Sequence, residues 1–318
     1  MSDLILHHYP SSPFSEKIRL ILGYKQLAWK SVIIPQIMPK PDVVALTGGY
    51  RKTPFLQIGA DIYCDSALIC DVLEHRQPTP TLYPKDQKGL ARIVAQWADE
   101  KLFWAAMAWN FSPKGAAQMF GGSPDAPVEQ WGLKAKVFGD DRAKMRVGMP
   151  RLPAPDAAAA YRSYLRRLSD MLEGQAFLLG AAPSVADFAA YHPLWFTRTQ
   201  TSAMAGILDA TPAVLAWMDR MAAIGHSTME KFSAAESIAL CARSTPTIAE
   251  IEPFMDEHGL ALGTPVSITS ESFGPEPTEG ELIAATRMHY TLRRTDERAG
   301  TVHVHFPRVG YILKKANP

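Results

Sequence analysis

Thr53, Pro54, Asp65 and Ser66 are spaced so that they could hold a small peptide between them. They lie in the stretch 50–74, YRKTPFLQIGADIYCDSALICDVLE. Pro54 stands before the apolar run 55–58 and has no N–H for a sheet ladder, so it belongs at a strand's first residue or edge. The backbone of Thr53 is then available to pair with an extended peptide, as an added strand would. Asp65 or Ser66 caps a helix that carries Ala67, Leu68, Ile69, Val72 and Leu73 at helical spacing. The free N–H groups at its start, with the positive end of the helix dipole, suit a carboxylate. A strand edge beside an anion pocket fits a small acidic peptide. On this stretch alone, a strand start and a helix cap explain the same residues more economically.

The elements around that stretch decide what it can do. Leu4, Ile5 and Leu6 form an apolar strand, followed by the loop Tyr9-Pro10-Ser11-Ser12-Pro13-Phe14-Ser15. Ser12 reads as an N-cap and Pro13 as the first helical residue. The helix buries Ile18, Leu20, Ile21 and Leu22 and stops near Gly23. A second strand over 28–34 precedes a proline-rich loop or broken helix over 35–49. A hairpin then turns at Gly59-Ala60-Asp61 and leads into the helix at Asp65-Ser66. Strand, helix, strand, irregular segment, hairpin and helix make a compact α/β sheet domain.

Ser12-Pro13-Phe14-Ser15-Glu16-Lys17-Ile18-Arg19, Thr53-Pro54 and Asp65-Ser66-Ala67-Leu68-Ile69 stand in that order within residues 4–83. This resembles the thioredoxin-like domain of the cytosolic glutathione transferases. The resemblance implies a cis bond before Pro54, glutathione's cysteinyl backbone on Thr53, and its γ-glutamyl end on Asp65 and Ser66. The acidic residue of this pair is more often Glu or Gln, so Asp65 reaches less far. Omega-like classes have a cysteine where Ser12 stands, whereas zeta-like and theta-like classes have a serine. By the same resemblance Arg51 or Lys52 would meet the glycyl carboxylate, and Phe14, Trp104 and Met107 would line the pocket for a hydrophobic second substrate. A homodimer is expected from the family alone.

The energetics of Ser12 favour a hydroxyl donor over a nucleophile. Lowering a thiol pKa from about 8.5 to roughly 6.5 takes about 2.7 kcal/mol of differential stabilisation. A helix N-terminus supplies roughly 0.3–1 kcal/mol and a hydrogen bond to a charged group about 1.5–3 kcal/mol. Together they provide most of the shift for a bound glutathione thiolate. Ser11 and Tyr9 are the competing hydroxyls.

Composition excludes several other functions. Lysine and arginine number 33 against 32 aspartates and glutamates, a net charge of +1 over 318 residues. That balance gives no electrostatic drive towards nucleic acid or a membrane surface. No apolar run approaches a membrane span, and the start MSDLILHHYP lacks the pattern of a signal peptide, so a cytoplasmic protein is expected. Cys64, Cys70 and Cys241 form neither a CxxC nor a metal-binding spacing, and no metal cofactor is expected. A thiol–disulfide oxidoreductase is disfavoured because no cysteine occupies the first helix turn.

Beyond residue 83 the sequence reads as an all-helical domain over 84–243 and a small β-barrel-like domain over 244–318, with a proline-punctuated linker at 79–84. One long helix is expected over 86–111, a clear amphipathic helix over 156–172, and a short helical pattern over 129–138 within an otherwise poorly patterned insertion at 112–155. Ser184-x-x-Asp187 and Ser233-x-x-Glu236 are capping boxes. The glutathione transferases carry a Ser/Thr-x-x-Asp cap of the first kind. In the tail, Val266, Ile268, Leu282, Ile283, Tyr290, Leu292, Val302, Val304, Phe306, Val309, Tyr311 and Leu313 lie in short β-type runs. Seven basic against six acidic residues over 264–318 is no nucleic-acid footprint. His303 and His305 share a strand face but lack a third ligand, which favours packing or surface roles over a metal. The tail reads as an interaction or oligomerisation module.

The leading expectation is therefore a glutathione transferase that conjugates or reduces a small electrophile, with Ser12 polarising the thiolate. The alternative from another class is a glutathione-transferase-like scaffold that binds a protein partner through its β tail and turns nothing over.

Overall fold

The computed structural model describes residues 2–146, 148–150, 152–247, 253–255 and 257–316. The chain begins with β1 (Ile5–His8), α1 (Pro13–Tyr24), β2 (Trp29–Ile33), α2 (Pro41–Thr47), β3 (Phe55–Ile58), β4 (Asp61–Cys64) and α3 (Ser66–Arg76). β1 runs parallel to β2, with Ile5 opposite Lys30, and antiparallel to β3, with Ile5 opposite Gln57. β3 and β4 form the expected hairpin. α1 begins as the sequence predicts, with Ser12 as N-cap and Pro13 following it.

The segment expected as one helix over 86–111 is a rod in three parts. α4 (Lys88–Trp97) passes through a π-helical turn at Ala98–Leu102 into α5 (Phe103–Asn110). The insertion is more ordered than its pattern suggested, holding α6 (Pro113–Gly121) and α7 (Val128–Lys144). Most of α7 is solvated and charged, which hides its length from a reading based on apolar periodicity. α8 (Ala154–Met171) buries Ala157, Tyr161, Leu165 and Leu168, one face of a regular helix.

α9 (Val185–Trp195) is fully interior over most of its length. Ser184 donates both its N–H and its hydroxyl to Asp187 Oδ2, and Asp187 Oδ1 accepts from Leu178 N and Trp217 Nε1. α10 (Pro212–Ala222) follows. A short strand β5 (Met229–Lys231) then adds to β2 in parallel, an edge the sequence did not announce. α11 (Ala234–Ala242) carries the Ser233–Glu236 capping box. The linker is tied down: Lys25 Nζ donates to the carbonyls of Gln77 and Pro80, and Leu82 is fully buried.

The tail supplies β6 (Pro265–Ser270), β7 (Thr278–Ala285), β8 (His289–Asp296), β9 (Gly300–Pro307) and β10 (Tyr311–Lys315). Val309 falls in the turn between β9 and β10 and is exposed. The five strands are where the β-type runs placed them, but they do not close on themselves as a small barrel. β9 pairs in parallel with β4, Asp61 opposite His303 and Tyr63 opposite His305. The result is one ten-stranded sheet in the order β10-β6-β7-β8-β9-β4-β3-β1-β2-β5.

Burial explains why the tail continues the sheet. Ile5, Phe55 and Ile62 share a hydrophobic core with Val266, Leu292, Val304, Phe306 and the α11 residues Ile238 and Cys241. A polar clamp crosses the junction. Asp61 Oδ1 accepts from His305 Nε2 at 3.0 Å, and Asp61 Oδ2 accepts from Thr247 N and Oγ1 at 2.9 and 2.8 Å. Tyr63 stacks on His305 with ring centres 4.4 Å apart. His303 and His305 are thus buried packing residues. A second core joins Ile18, Leu20 and Ile21 of α1 to α4, α5, α8, α9 and α10. Among the described residues no helix is long and apolar enough to cross a membrane.

Candidate functional site

The start of α3 is the electrostatic centre of the cleft. Asp65 sits at φ +79°, in the left-handed region, and its Oδ1 caps the helix by accepting from Ala67 N at 2.9 Å. Ser66 follows, nearly buried, and its Oγ accepts from Lys17 Nζ at 3.2 Å. Lys17 projects from α1 and is itself buried, so its ammonium needs a counter-charge. Asp99, in the π-helical turn, provides it at 2.6 Å. The other oxygen of Asp99 accepts from His192 Nε2 of α9 at 2.9 Å.

Burial pushes the Lys17 ammonium down, but the Asp99 carboxylate more than offsets this and holds it above its ordinary value. Burial likewise raises the Asp99 carboxyl, yet Lys17 and His192 bring it below the usual carboxylate range. Burial lowers His192, so the imidazole is neutral and donates through Nε2. Helix dipole, backbone N–H groups and the Lys17 charge converge on Ser66, an arrangement suited to a carboxylate.

Thr53-Pro54 is a cis peptide bond, as the resemblance implied. Thr53 Oγ1 is buried without a hydrogen-bond partner among the described residues. Ser12 is 2 % exposed and its Oγ accepts from Ser15 N at 3.2 Å, so it is an N-cap whose hydroxyl proton remains available. The competing hydroxyls act as acceptors in the same way. Ser11 Oγ accepts from Gln36 Nε2 at 3.2 Å, and Tyr9 OH accepts from Arg142 Nη2 at 3.4 Å. Cys64, Cys70 and Cys241 are all buried, and burial pushes the Cys70 and Cys241 thiols up to about 12.

Arg51 and Lys52, of which one or the other was expected to meet the glycyl carboxylate, are both held by other parts of the chain. Arg51 Nη2 meets Asp141 Oδ1 at 2.6 Å and its Nη1 meets Glu276 Oε1 at 2.5 Å. Lys52 Nζ donates to Ser270 Oγ at 3.2 Å, lies 3.6 Å from Asp65 Oδ2 and sits over the Tyr311 ring at 4.6 Å. Burial lowers Lys52, partly countered by Asp65. Ser270, Glu276 and Tyr311 belong to the tail, so the tail reaches Arg51 and Lys52 themselves.

The three aromatic and sulfur residues expected at a hydrophobic pocket are placed differently from one another. Phe14 packs on Phe103 at 4.8 Å and on His192 at 4.4 Å. Trp104 is half-buried beneath Arg146, with Phe273 of the tail 5.1 Å away. Met107 is buried in the helical core. Phe103 thus joins Phe14 to Trp104, whereas Met107 lies among core side chains.

Sequence reasoning missed Lys17, Asp99 and His192. A lysine within the apolar run of α1 was a signal, because a charge on a buried face demands a partner. The partners lie 82 residues or more along the chain and only the tertiary fold identifies them. Lys40 was also missed. It is 3 % exposed, donates to Arg51 O at 3.3 Å, and is brought down to about 8 by burial, then by Arg142 and Arg51.

Comparison with known proteins follows this geometry. Residues 6–81 match the glutathione S-transferase N-terminal domain, and residues 134–220 match the glutathione S-transferase C-terminal domain. The solved structure of a GST-like protein from Pseudomonas syringae is 40 % identical, spans 99 % of this chain and 100 % of its own, and superposes with a TM-score of 0.79. That match therefore includes the β tail. FtsZ-localized protein A of Caulobacter vibrioides (strain NA1000 / CB15N) is 25 % identical over 191 residues, 58 % of this chain and 73 % of that protein. The beta-etherase LigF of Sphingobium sp. strain SYK-6 shares the fold, with a TM-score of 0.52 at 21 % identity over 70 % of this chain and 96 % of its own. With both domain types matched and a relative alike from end to end, the chain belongs to the glutathione S-transferase family.

Proposed function

We propose that the cleft binds glutathione and transfers it to, or uses it to reduce, a small electrophile. The observation that carries this reading is the α3 N-terminus, where Ser66 Oγ lies 3.2 Å from the buried Lys17 ammonium. The γ-glutamyl carboxylate would accept from Ser66 and the adjoining N–H groups, with Lys17 supplying charge beneath. Thr53 would pair with the cysteinyl backbone. Ser12 would donate its hydroxyl to the thiolate at the positive end of α1. In this reading the protein is a cytoplasmic homodimer, as its family membership supports.

A second reading has two observations in its favour. Arg51 and Lys52 are already held by the tail, and FtsZ-localized protein A is among the relatives. A glutathione-transferase-like scaffold that binds a protein partner through its β tail needs neither cation.

Calorimetric titration of reduced glutathione into the protein, with Ser66→Ala as control, separates the two. Saturable binding weakened by the control supports the enzyme. No binding at millimolar glutathione removes the assigned site and leaves the scaffold.

A further inference from the structure

An unbroken line of rings leads from the first turn of α1 to the tail. Phe14 lies 4.8 Å from Phe103, Phe103 4.9 Å from Trp104, and Trp104 5.1 Å from Phe273, centre to centre. Phe14 is two residues beyond Ser12, and Phe273 lies in the loop 271–277 between β6 and β7. That loop lies against Lys52 and the end of α7. Gly274 N donates to Met145 O at 2.7 Å, just past the end of α7. A Cβ on Gly274 would come within 3.1 Å of Lys52 Cγ and 3.2 Å of Met145 Cε, at φ +73°. The loop therefore fills the gap between Lys52, next to Thr53, and the helical wall. It is braced from behind by Glu276, which is part-exposed, on the nearly buried Arg51, whose second carboxylate partner is Asp141 on α7.

We infer that the loop 271–277 is the outer wall of the electrophile side of the cleft, with Phe273 as the residue that limits the size of the group attached to the glutathione sulfur. This rests on the glutathione reading of the same site. A sulfur held near Ser12 has the ring line on one side, so a substituent growing along it past Phe103 and Trp104 meets Phe273 at the end of that line. The ion pair behind the loop resists its displacement. The preferred electrophiles are then flat and small enough to stop short of Phe273. The family-matched segments end at residue 220, so this wall is supplied by the part of the chain beyond them.

The test compares binding of S-methylglutathione with S-pyrenylmethylglutathione by calorimetry, in the wild type, Phe273→Ala and Phe273→Leu. The expected result is that the wild type takes the methyl conjugate in strong preference. Phe273→Ala should shift the ratio of dissociation constants towards the large conjugate by about ten-fold or more, with Phe273→Leu in between. Affinity for reduced glutathione itself should be unchanged in both variants, which a loss of folding would not give. An unaltered ratio in Phe273→Ala, with glutathione still bound, overturns the wall and leaves the glutathione site standing. If no variant or wild type binds reduced glutathione or either S-alkyl conjugate, the glutathione reading falls and the wall falls with it.

Discussion

Tyr311 donates its hydroxyl to Asp65 Oδ2 across 2.9 Å, joining the last strand of the sheet to the residue that caps α3. The same carboxylate caps Ala67 N and faces Lys52, so the tail completes the coordination of a site residue 246 positions away. Burial holds the Tyr311 phenol well above its ordinary value, with Asp65 adding to the effect, so it remains a donor at any physiological pH.

Tyr311→Phe removes a hydrogen bond to a charged acceptor, and such bonds contribute about 1.5–3 kcal/mol. Chemical denaturation should show a loss of that order. Gly49→Ala tests the same docking at another point, because its Cβ would stand 2.2 Å from Pro277 O. It should destabilise the protein by more than about 1 kcal/mol. Unchanged stability in both variants would mean that the tail is not held on the first sheet as described.

Lys17→Met should cost up to about 3 kcal/mol, since it leaves the part-buried Asp99 without its ammonium partner. Lys17→Met with Asp99→Leu should recover much of that loss, which a double-mutant cycle measures. In Lys17→Met the His192 pKa should rise, because a cation beside it is gone while Asp99 remains. An NMR titration of His192 that moves down instead would contradict the network.

Ser12→Gly should weaken thiolate formation while costing only a few tenths of a kcal/mol as an N-cap change. Losing a hydrogen bond to a charged thiolate predicts a fall in turnover of roughly 10- to 100-fold and a rise in the pH needed for half-maximal rate. A flat comparison with the wild type, in both rate and pH profile, would reassign the role to Ser11 or Tyr9.

His7 and His8 make the fold sensitive to acid. Burial is the main cause that brings His7 down to about 4 and His8 to about 3, and the Arg19 charge adds to the shift at His8. His8 Nδ1 accepts from Arg19 Nη1 at 3.1 Å, which requires a neutral ring. The native pKa values lie below the unfolded value of about 6.5, so below that pH the unfolded chain takes up protons that the native state refuses. Stability is full above about pH 6.5 and falls as the pH drops towards 4, by a few kcal/mol. His8→Gln should flatten part of this slope in denaturation curves recorded across that range. A stability that rose on acidification would contradict the assignment.

Local chemistry made much of the cleft legible before any tertiary contact was known. Ser12 with Pro13 can only begin a helix, Pro54 can only start a strand or border one, and Asp65-Ser66 announces α3 by its cap. These are features within a few residues of one another, and the backbone physics that creates them is equally local. The capping boxes at Ser184 and Ser233 and the five tail strands were legible for the same reason. Tertiary structure decided everything that depends on a partner far along the chain. It put Asp99 on Lys17, His192 on Asp99, and Glu276 and Asp141 on Arg51. It also set β9 against β4 so that the tail became part of one sheet. A lone charge or strand edge in a sequence says that a counterpart must exist, because burial without one is costly. Which residue answers is fixed only when the chain has packed.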